Sequence, residues 1–267
     1  MAQLNDFADS VAVVVSSCDR FFDAWRPFAF FFRKYWPDCP FPIYLITNEL
    51  RVQSQRIQAI RVGRDKGWAT NMQLALEQIH SPYILYLQED YFLTAPVRAE
   101  RLASDIAYAI EQNAASFCFY DLSLLEPEFR RGDERFGIVP EESKGRTRLQ
   151  ATFWKREAFA ALIRPGETAW NMEARGSERT RGMLMLSYTP NDAVPIPYLM
   201  SGIVRGLWAP EAVELCRAHD LRIRPAFRSL DAGTKRGRRW RRAIDRVRFP
   251  FALALQGRTP VDLDAAS

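Results

Sequence analysis

The chain contains few of the residues that usually build metal centres and thiol-dependent active sites. Its 267 residues include two histidines and four cysteines, and no two cysteines stand in a CxxC pair. This scarcity argues against a zinc site and leaves few candidates for a Cys–His catalytic pair. We therefore expect free thiols in a reducing compartment, which favours the cytoplasm. The four cysteines are Cys18, Cys39, Cys118 and Cys216.

Long hydrophobic runs are also missing. The N-terminus lacks a basic segment followed by a long apolar stretch, so no signal peptide is predicted. The apolar run FAFFF, at residues 28–32, is far shorter than the roughly 20 residues that a membrane-spanning helix needs. We expect no transmembrane segment.

The remaining composition is that of a globular protein, with 48% hydrophobic and 26% charged residues. The net charge of +5 has one local source. Residues 235–248 carry eight Lys or Arg and one Asp, whereas the rest of the chain has 29 basic and 31 acidic residues. This distribution argues against a nucleic-acid surface, which needs a basic face on the fold. We expect one domain over residues 1–230 and a basic amphipathic tail over 231–267.

Predicted strands and helices alternate along the first 90 residues, which favours an α/β fold with a mostly parallel sheet flanked by helices. The predicted strands are VAVVVSS (11–17), the region around 43–46, RIQAIRVG (56–63) and YILYLQED (83–90). Further along we expect helices over 96–112 and 210–219, and strands over 116–122 and 183–188. A strand leading into a helix is predicted over 149–163, and a mobile loop over 126–148.

Three of these strands end in polar residues. They are Ser16, Ser17 and Asp19, then Thr47 and Asn48, then Glu89 and Asp90. Ligands of parallel α/β sheets bind beyond the carboxyl ends of the strands, so these residues are candidates for one site. Adjacent carboxylates repel each other unless water or a cation offsets the repulsion. The pair Glu89 and Asp90 therefore predicts either a divalent metal that also holds phosphate oxygens, or a solvated turn or helix cap.

The order VVVSSCDRF, PIYLITNE, DKGWATNMQLAL and YILYLQEDYFL resembles the GT-A glycosyltransferases of the family 2 kind. The later stretch 150–177 resembles the acceptor side of bacterial surface-polysaccharide transferases. The resemblance implies a GT-A fold and a nucleotide-diphosphate sugar donor. It also implies Mn²⁺ or Mg²⁺ held by Asp90 and Glu89. Gln88 stands where the metal-binding DxD motif of these enzymes begins with Asp.

The resemblance also assigns residues to the donor. Asp19 would contact the base or ribose, with a helix N-cap as the alternative, and Ser17 stands beside it. Asp65 and Lys66 would lie near the base or ribose, with an exposed loop as the alternative. Asn71, in the following helix, would order that loop or bind the donor.

Candidates for the acceptor side come from AWNMEARGS, residues 169–177. Glu173 is the predicted general base, and Trp170, three residues earlier, would support a sugar ring. Asp192 is a second candidate base. Arg156 would pair with diphosphate oxygens, as Arg175 and Arg179 could, although each could equally be a solvated charge.

The basic tail has an apolar stripe. Trp240, Ile244 and Val247 recur at helical spacing among arginines, and Phe249 and Phe251 extend the apolar material. This pattern favours peripheral contact of residues 235–251 with an anionic membrane on the inner face of the plasma membrane. A disordered tail and a helix docked on the body are the alternatives.

These observations lead to one expected function and two rivals. We expect a glycosyltransferase that passes a sugar to a surface-glycan or lipid-linked acceptor, with inversion and a divalent metal. A sugar nucleotidyltransferase would carry a glycine-rich basic loop after its first strand, and SSCDRFFDAW has no glycine. A catalytically degenerate GT-A-like module that binds a glycan or a partner remains an alternative because Gln88 replaces the first Asp.

Overall fold

The structure, a computed structural model, describes residues 2–122, 128–130, 133–189, 194–225 and 227–265. The described strands are β1 (Val11–Ser16), β2 (Ile43–Thr47), β3 (Val52–Gln53), β4 (Ile57–Arg61), β5 (Tyr83–Gln88), β6 (Ser116–Asp121), β7 (Glu128–Arg130), β8 (Asp133–Ile138), β9 (Thr152–Lys155), β10 (Met185–Tyr188), β11 (Ile203–Val204), β12 (Leu207–Trp208) and β13 (Val261–Asp262). The described α-helices are α1 (Phe22–Tyr35), α2 (Trp68–Leu76), α3 (Ala99–Glu111), α4 (Arg156–Leu162), α5 (Ala169–Arg175), α6 (Pro210–Arg217) and α7 (Lys235–Gln256).

Nine of the described strands form one sheet in the order β4-β2-β1-β5-β9-β6-β10-β8-β7. Strands β4, β2, β1 and β5 pair in parallel, as do β6 and β10. Strands β9 and β8 run against their neighbours, so the other seven strands share one direction. The expected α/β fold with a mostly parallel sheet is confirmed.

The central strand β1 is buried on both faces, as its continuous apolar run predicts. Val11, Val13 and Val15 pack into a cluster with α1 and α3 on one face of the sheet. Ala12 and Val14 pack into a second cluster with α2 and α4 on the other face. Because side chains alternate along a strand, one continuous apolar run contributes to the hydrophobic clusters on both faces of the sheet.

The segment 126–148, predicted as a loop, contains two short strands among its described residues. β8 pairs antiparallel with β10, and β7 pairs with β8 at the edge of the sheet. Only β7 lies at the edge, and β8 lies between β7 and β10, so the sheet continues through this segment. The prediction of a loop over the whole of 126–148 is therefore wrong for residues 128–130 and 133–138.

The basic segment after residue 231 is docked on the body. The Arg238 guanidinium pairs with Asp231 at 2.8 Å, and Asp245 accepts hydrogen bonds from the amide and the hydroxyl of Ser229. Phe249 of α7 is buried against Phe22 of α1. Beyond α7, β13 pairs in parallel with β3. These contacts favour the alternative of a helix docked on the body over that of a disordered tail.

Candidate functional site

The carboxyl ends of the parallel strands meet at one edge of the sheet. Ser16 lies opposite Gln88 in the register of β1 and β5, and Thr47 lies opposite Arg61 in that of β2 and β4. Glu89 and Asp90 follow β5 directly, with 6% and 5% of their surfaces exposed. Such burial contradicts the alternative of a solvated turn, because two adjacent carboxyl groups are withdrawn from water here.

Asp90 fixes the segment that follows residue 200. Its Oδ2 accepts hydrogen bonds from the Ser201 hydroxyl and the Ile203 amide, both at 2.9 Å. Its backbone carbonyl accepts a third bond from the Gly202 amide at 3.0 Å. A Cβ on Gly202 would lie 3.1 Å from that carbonyl and 3.0 Å from the Phe92 ring, so the close approach favours glycine.

The pKa values of both acids are raised. Burial is the main cause for Glu89, whose pKa lies well above its usual range, and the charge of Asp90 raises it further while Arg228 opposes the shift. Burial also raises the pKa of Asp90, against the hydrogen bonds from Ile203 and Ser201. Ionised forms of this pair are therefore costly unless a positive charge lies beside them.

Gln88 and Glu173 meet at the backbone of Leu149. The Leu149 amide donates to Glu173 Oε1 at 2.8 Å. The Leu149 carbonyl accepts from the Gln88 side-chain amide at 2.9 Å and from the Tyr91 hydroxyl at 2.6 Å. Leu149 thus connects Glu173, the predicted base, to Gln88 and Tyr91, which flank the acidic pair. Gln88, where a DxD motif would begin, is a hydrogen-bond donor that holds this junction.

Helix α5 carries Glu173 on a fixed support. The Thr168 hydroxyl caps the helix by accepting from the Asn171 amide at 3.1 Å. Just before α5, the Glu167 carbonyl accepts from the first turn of α2, and its carboxylate pairs with Arg179 at 3.0 Å. Trp170 is 78% exposed and lies three residues before Glu173. The helix therefore presents an open aromatic ring beside a half-buried carboxylate.

Asp19 ties together the ends of β1 and β2. Its carboxylate accepts hydrogen bonds from the amides of Asn48, Glu49 and Leu50 at 2.8–2.9 Å, and its own amide donates to Asn48 Oδ1 at 3.0 Å. The alternative of a helix N-cap is wrong, because these bonds go to a distant loop. Ser17 is turned toward α1, where its hydroxyl accepts from the Trp25 indole at 2.8 Å.

The loop before α2 is ordered as the sequence indicated. Asp65 Oδ1 accepts from the Asn71 side chain at 2.8 Å and from the Gly67 amide at 2.9 Å, and the Lys66 amide donates to Asn71 Oδ1. Gly67 has φ of +89°, a conformation that favours glycine. Asp65 and Lys66 are both exposed at the same edge as the acidic pair.

Arg156 does not reach this edge. It begins α4 directly after β9, and its guanidinium donates to the Ser81 carbonyl at 3.1 Å. Ser81 precedes β5, whereas Glu89 follows it, so the two lie at opposite ends of a six-residue strand. The physical reason is that β9 runs antiparallel to β5, which places its carboxyl end at the far edge. The prediction that Arg156 pairs with diphosphate oxygens at the donor is therefore wrong.

Asp192, the second candidate base, lies outside the described residues.

Arg228 is a residue near the site that the sequence did not single out. Its guanidinium makes two bonds to Asp23, both at 3.0 Å, and stacks on the rings of Phe21 and Phe249. It also lowers the pKa of Glu89, so it lies within electrostatic reach of the acids. No local pattern marks this arginine, because its partners come from distant parts of the chain.

Comparison with known proteins gives similarity in fold only. No known family and no curated protein matches the chain. One similar crystal structure, of residues 1–349 of S. aureus TarS, has 11% identity and a TM-score of 0.46. The match covers 71% of this chain and 59% of that one, less than two thirds of its length.

Two other solved structures are similar. CMP:2-keto-3-deoxy-manno-octonic acid synthetase complexed with CTP has 9% identity and a TM-score of 0.44, over 79% of this chain and 98% of that one. The galactosyltransferase LgtC, in complex with donor and acceptor sugar analogues, has 11% identity and a TM-score of 0.34, over 77% and 78%. With TM-scores below 0.5, none of the three carries an argument about the activity of this chain.

Proposed function

We propose that this chain is a glycosyltransferase that moves a sugar from a nucleoside diphosphate to a glycan or lipid-linked acceptor. One observation carries the proposal. Three carboxyl groups belong to one edge of the sheet, because Glu89 and Asp90 directly follow β5 and Glu173 is bonded through Leu149 to Gln88 at the same strand end. Carboxyl groups so arranged supply the two functions that sugar transfer requires, a base at the acceptor and charge control at the leaving phosphate.

In this reaction, Glu173 would act on the acceptor. The acceptor hydroxyl oxygen forms a bond to the anomeric carbon while its proton passes to the Glu173 carboxylate. The bond from that carbon to the diphosphate oxygen breaks, and its electron pair leaves with the diphosphate. Attack from the face opposite the leaving group inverts the anomeric centre. Exposed Trp170, three residues earlier on α5, would stack against the acceptor sugar.

The acidic pair suits a hard divalent cation such as Mg²⁺ or Mn²⁺. Such ions take one or two protein carboxylates and complete their shell with water and phosphate oxygens. The hydrogen bonds from Ser201 and Ile203 both reach Asp90 Oδ2, so Oδ1 is the oxygen proposed to bind the cation. In the described part of the chain, no group of three His, Cys, Asp or Glu side chains is placed to hold a metal. A bound cation would act as a Lewis acid at the leaving diphosphate.

Contact with an anionic membrane through residues 235–251 belongs to the same proposal. The outer face of α7 carries Trp240 and Phe251, which are 68% and 74% exposed. These residues lie on the side opposite Asp245 and Phe249, which dock the helix on the body. Exposed arginines flank the apolar face, a combination that suits anionic headgroups. No described helix is long and apolar enough to cross a membrane.

A binding titration tests the proposal. The thermal stability of the full chain is followed with UDP, GDP, CDP and dTDP, each with and without Mn²⁺. We expect one diphosphate to raise the melting temperature more strongly with Mn²⁺ than without it. Asp90→Asn should remove the metal-dependent part, because an amide keeps an acceptor for Ser201 and Ile203 but is a poor metal ligand. Glu111→Gln, an exposed change on α3, is the control. No response to any diphosphate would contradict the proposal and favour a binding module without donor chemistry.

A further inference from the structure

A cavity of about 450 Å³ lies between the loop after β1 and the helix α7. Cys18 and Asp65 line it on the side of the sheet, and Arg242 and Arg246 line it on the side of α7. Burial and then the charge of Glu89 raise the pKa of the Cys18 thiol to about 12, with a further contribution from Asp65. The cavity is therefore next to the acidic pair, although none of its arginines stands near that pair in the sequence.

The lining of the cavity carries a net positive charge, because five arginines and two aspartates line it. Asp65 accepts a hydrogen bond from Asn71 and Asp245 accepts two from Ser229, all from neutral groups, so both aspartates still offset part of the positive charge. Arg228, one of the five, is neutralised by its two bonds to Asp23.

The other four arginines of the cavity lack such compensation. Within the described residues, Arg20, Arg205, Arg242 and Arg246 have no carboxylate at ion-pair distance. Like charges gathered around a cavity repel each other, and an anion inside would relieve that repulsion. The planar guanidinium groups match the oxygens of a phosphate two at a time, which makes arginine well suited to such an anion.

The position of Arg205 is set by Asp90. Strands β11 and β12 form a hairpin whose two turn residues, Arg205 and Gly206, have φ of +54° and +80°. Two residues with positive φ are the mark of a tight type I′ turn, where an arginine pays a conformational cost that glycine avoids. The first residue of the hairpin, Ile203, donates its amide to Asp90 Oδ2. Asp90 thus anchors the hairpin whose turn places Arg205 in the lining of the cavity.

We propose that Arg205, Arg242 and Arg246 bind the diphosphate of the nucleotide ligand, and that α7 forms the outer wall of its site. This assignment rests on the proposed function and adds to it three arginine side chains from the C-terminal part of the chain. These arginines offset phosphate charge without a metal, so part of the affinity for a diphosphate persists when divalent ions are removed. The basic composition of residues 235–248 then serves the site as well as the outer surface of the helix.

Inorganic pyrophosphate is the probe, because it carries the diphosphate group without a base or sugar. Its affinity is measured by calorimetry in the presence of EDTA on the full chain. Arg242→Gln with Arg246→Gln should weaken binding about tenfold or more, since two charge-assisted contacts are lost. Arg239→Gln with Arg248→Gln removes the same charge from exposed positions of α7 that do not line the cavity. This control should weaken binding only slightly.

Arg205→Gly is a separate test that does not endanger the fold, because glycine adopts positive φ readily. It should lower pyrophosphate affinity while the melting temperature stays at or above that of the wild type. Equal affinities for the cavity pair and the surface pair, or wild-type affinity in Arg205→Gly, would overturn the inference. If the wild type binds a nucleoside diphosphate but these variants bind it equally well, only the arginine site fails. If no nucleoside diphosphate binds at all, the proposed function fails.

Discussion

The Ile203 amide donates a hydrogen bond to the buried carboxylate of Asp90 at 2.9 Å, 113 residues away in the chain. The Ser201 hydroxyl reaches the same oxygen at the same distance. One side chain at the end of β5 therefore holds the start of the β11–β12 hairpin, and any change at Asp90 acts on stability as well as on binding.

Asp90→Ala should lower the free energy of unfolding by about 1–3 kcal/mol, because it leaves the Ile203 amide without its acceptor. Asp90→Asn should cost less, since its amide oxygen can still accept from both Ser201 and Ile203. Urea denaturation of both variants at neutral pH measures the difference. Equal stability of Asp90→Ala and the wild type would show that the hairpin does not depend on this carboxylate.

The raised pKa of Glu89 predicts a pH-dependent effect on stability. The folded protein holds the proton of this carboxyl more tightly than the unfolded chain does, so its contribution to stability is present at low pH and is lost as pH rises through the folded pKa. Glu89→Gln keeps a neutral side chain at every pH. The variant should therefore be more stable than the wild type at pH 8, and the gain should vanish near pH 4.

Denaturation across this range, without divalent ions, measures the effect. Glu77→Gln, a change of the same chemistry at an exposed position after α2, should show no such trend. A gain for Glu89→Gln that stays constant with pH would mean that packing, and not the charge, separates the two proteins.

Glu173→Gln should lower turnover about 100-fold or more with the nucleotide sugar identified by the binding titration, because the acceptor proton loses its base. Donor affinity should stay unchanged, since the glutamine oxygen can still accept from the Leu149 amide. Glu178→Gln, an exposed neighbour on the same segment, is the control and should keep full activity. Equal losses in donor affinity and turnover would point instead to a distorted junction at Leu149.

Trp240→Ser with Phe251→Ser should reduce binding to phosphatidylserine-containing vesicles about tenfold, because two exposed rings no longer enter the headgroup region. Binding of the wild type should also fall with added salt, since exposed arginines contribute. Trp170→Ser removes a comparably exposed ring from α5 and should leave vesicle binding unchanged. If sedimentation with vesicles is the same for all three proteins, residues 235–251 do not contact lipid.

The sequence predicted the part of the fold that local patterns determine. Runs such as VAVVVSS specify strands buried on both faces, and the polar residues that follow them lie at one edge because parallel strands share a direction. Glu89 and Asp90 were singled out in this way, and Glu173 was singled out from the segment AWNMEARGS. The link between them was not, because Leu149 contributes only backbone atoms, which no residue type reveals.

Long-range pairing explains the expectations that differ from the structure. Arg156 was placed at the donor because β9 was not known to run antiparallel, and strand direction is set by partners far along the chain. Asp19 has the residue type of a helix cap, but its bonds go to the loop at residues 48–50. For the basic segment, the alternative of a helix docked on the body depends on contacts with residues 229–231, which composition does not reveal.

The pairing of β13 with β3 has a consequence for biosynthesis. Near the C-terminus, the Asp264 carboxylate accepts from the Gln55 amide at 2.6 Å and from the Arg33 guanidinium at 2.8 Å. The first strands and helices of a chain leave the ribosome early, but here β3, Gln55 and Arg33 stay without these partners until residues 261–264 emerge. Contacts of such sequence separation slow folding. The contacts of β3 and of the end of α1 should therefore be completed only after residues 261–264 have been synthesised.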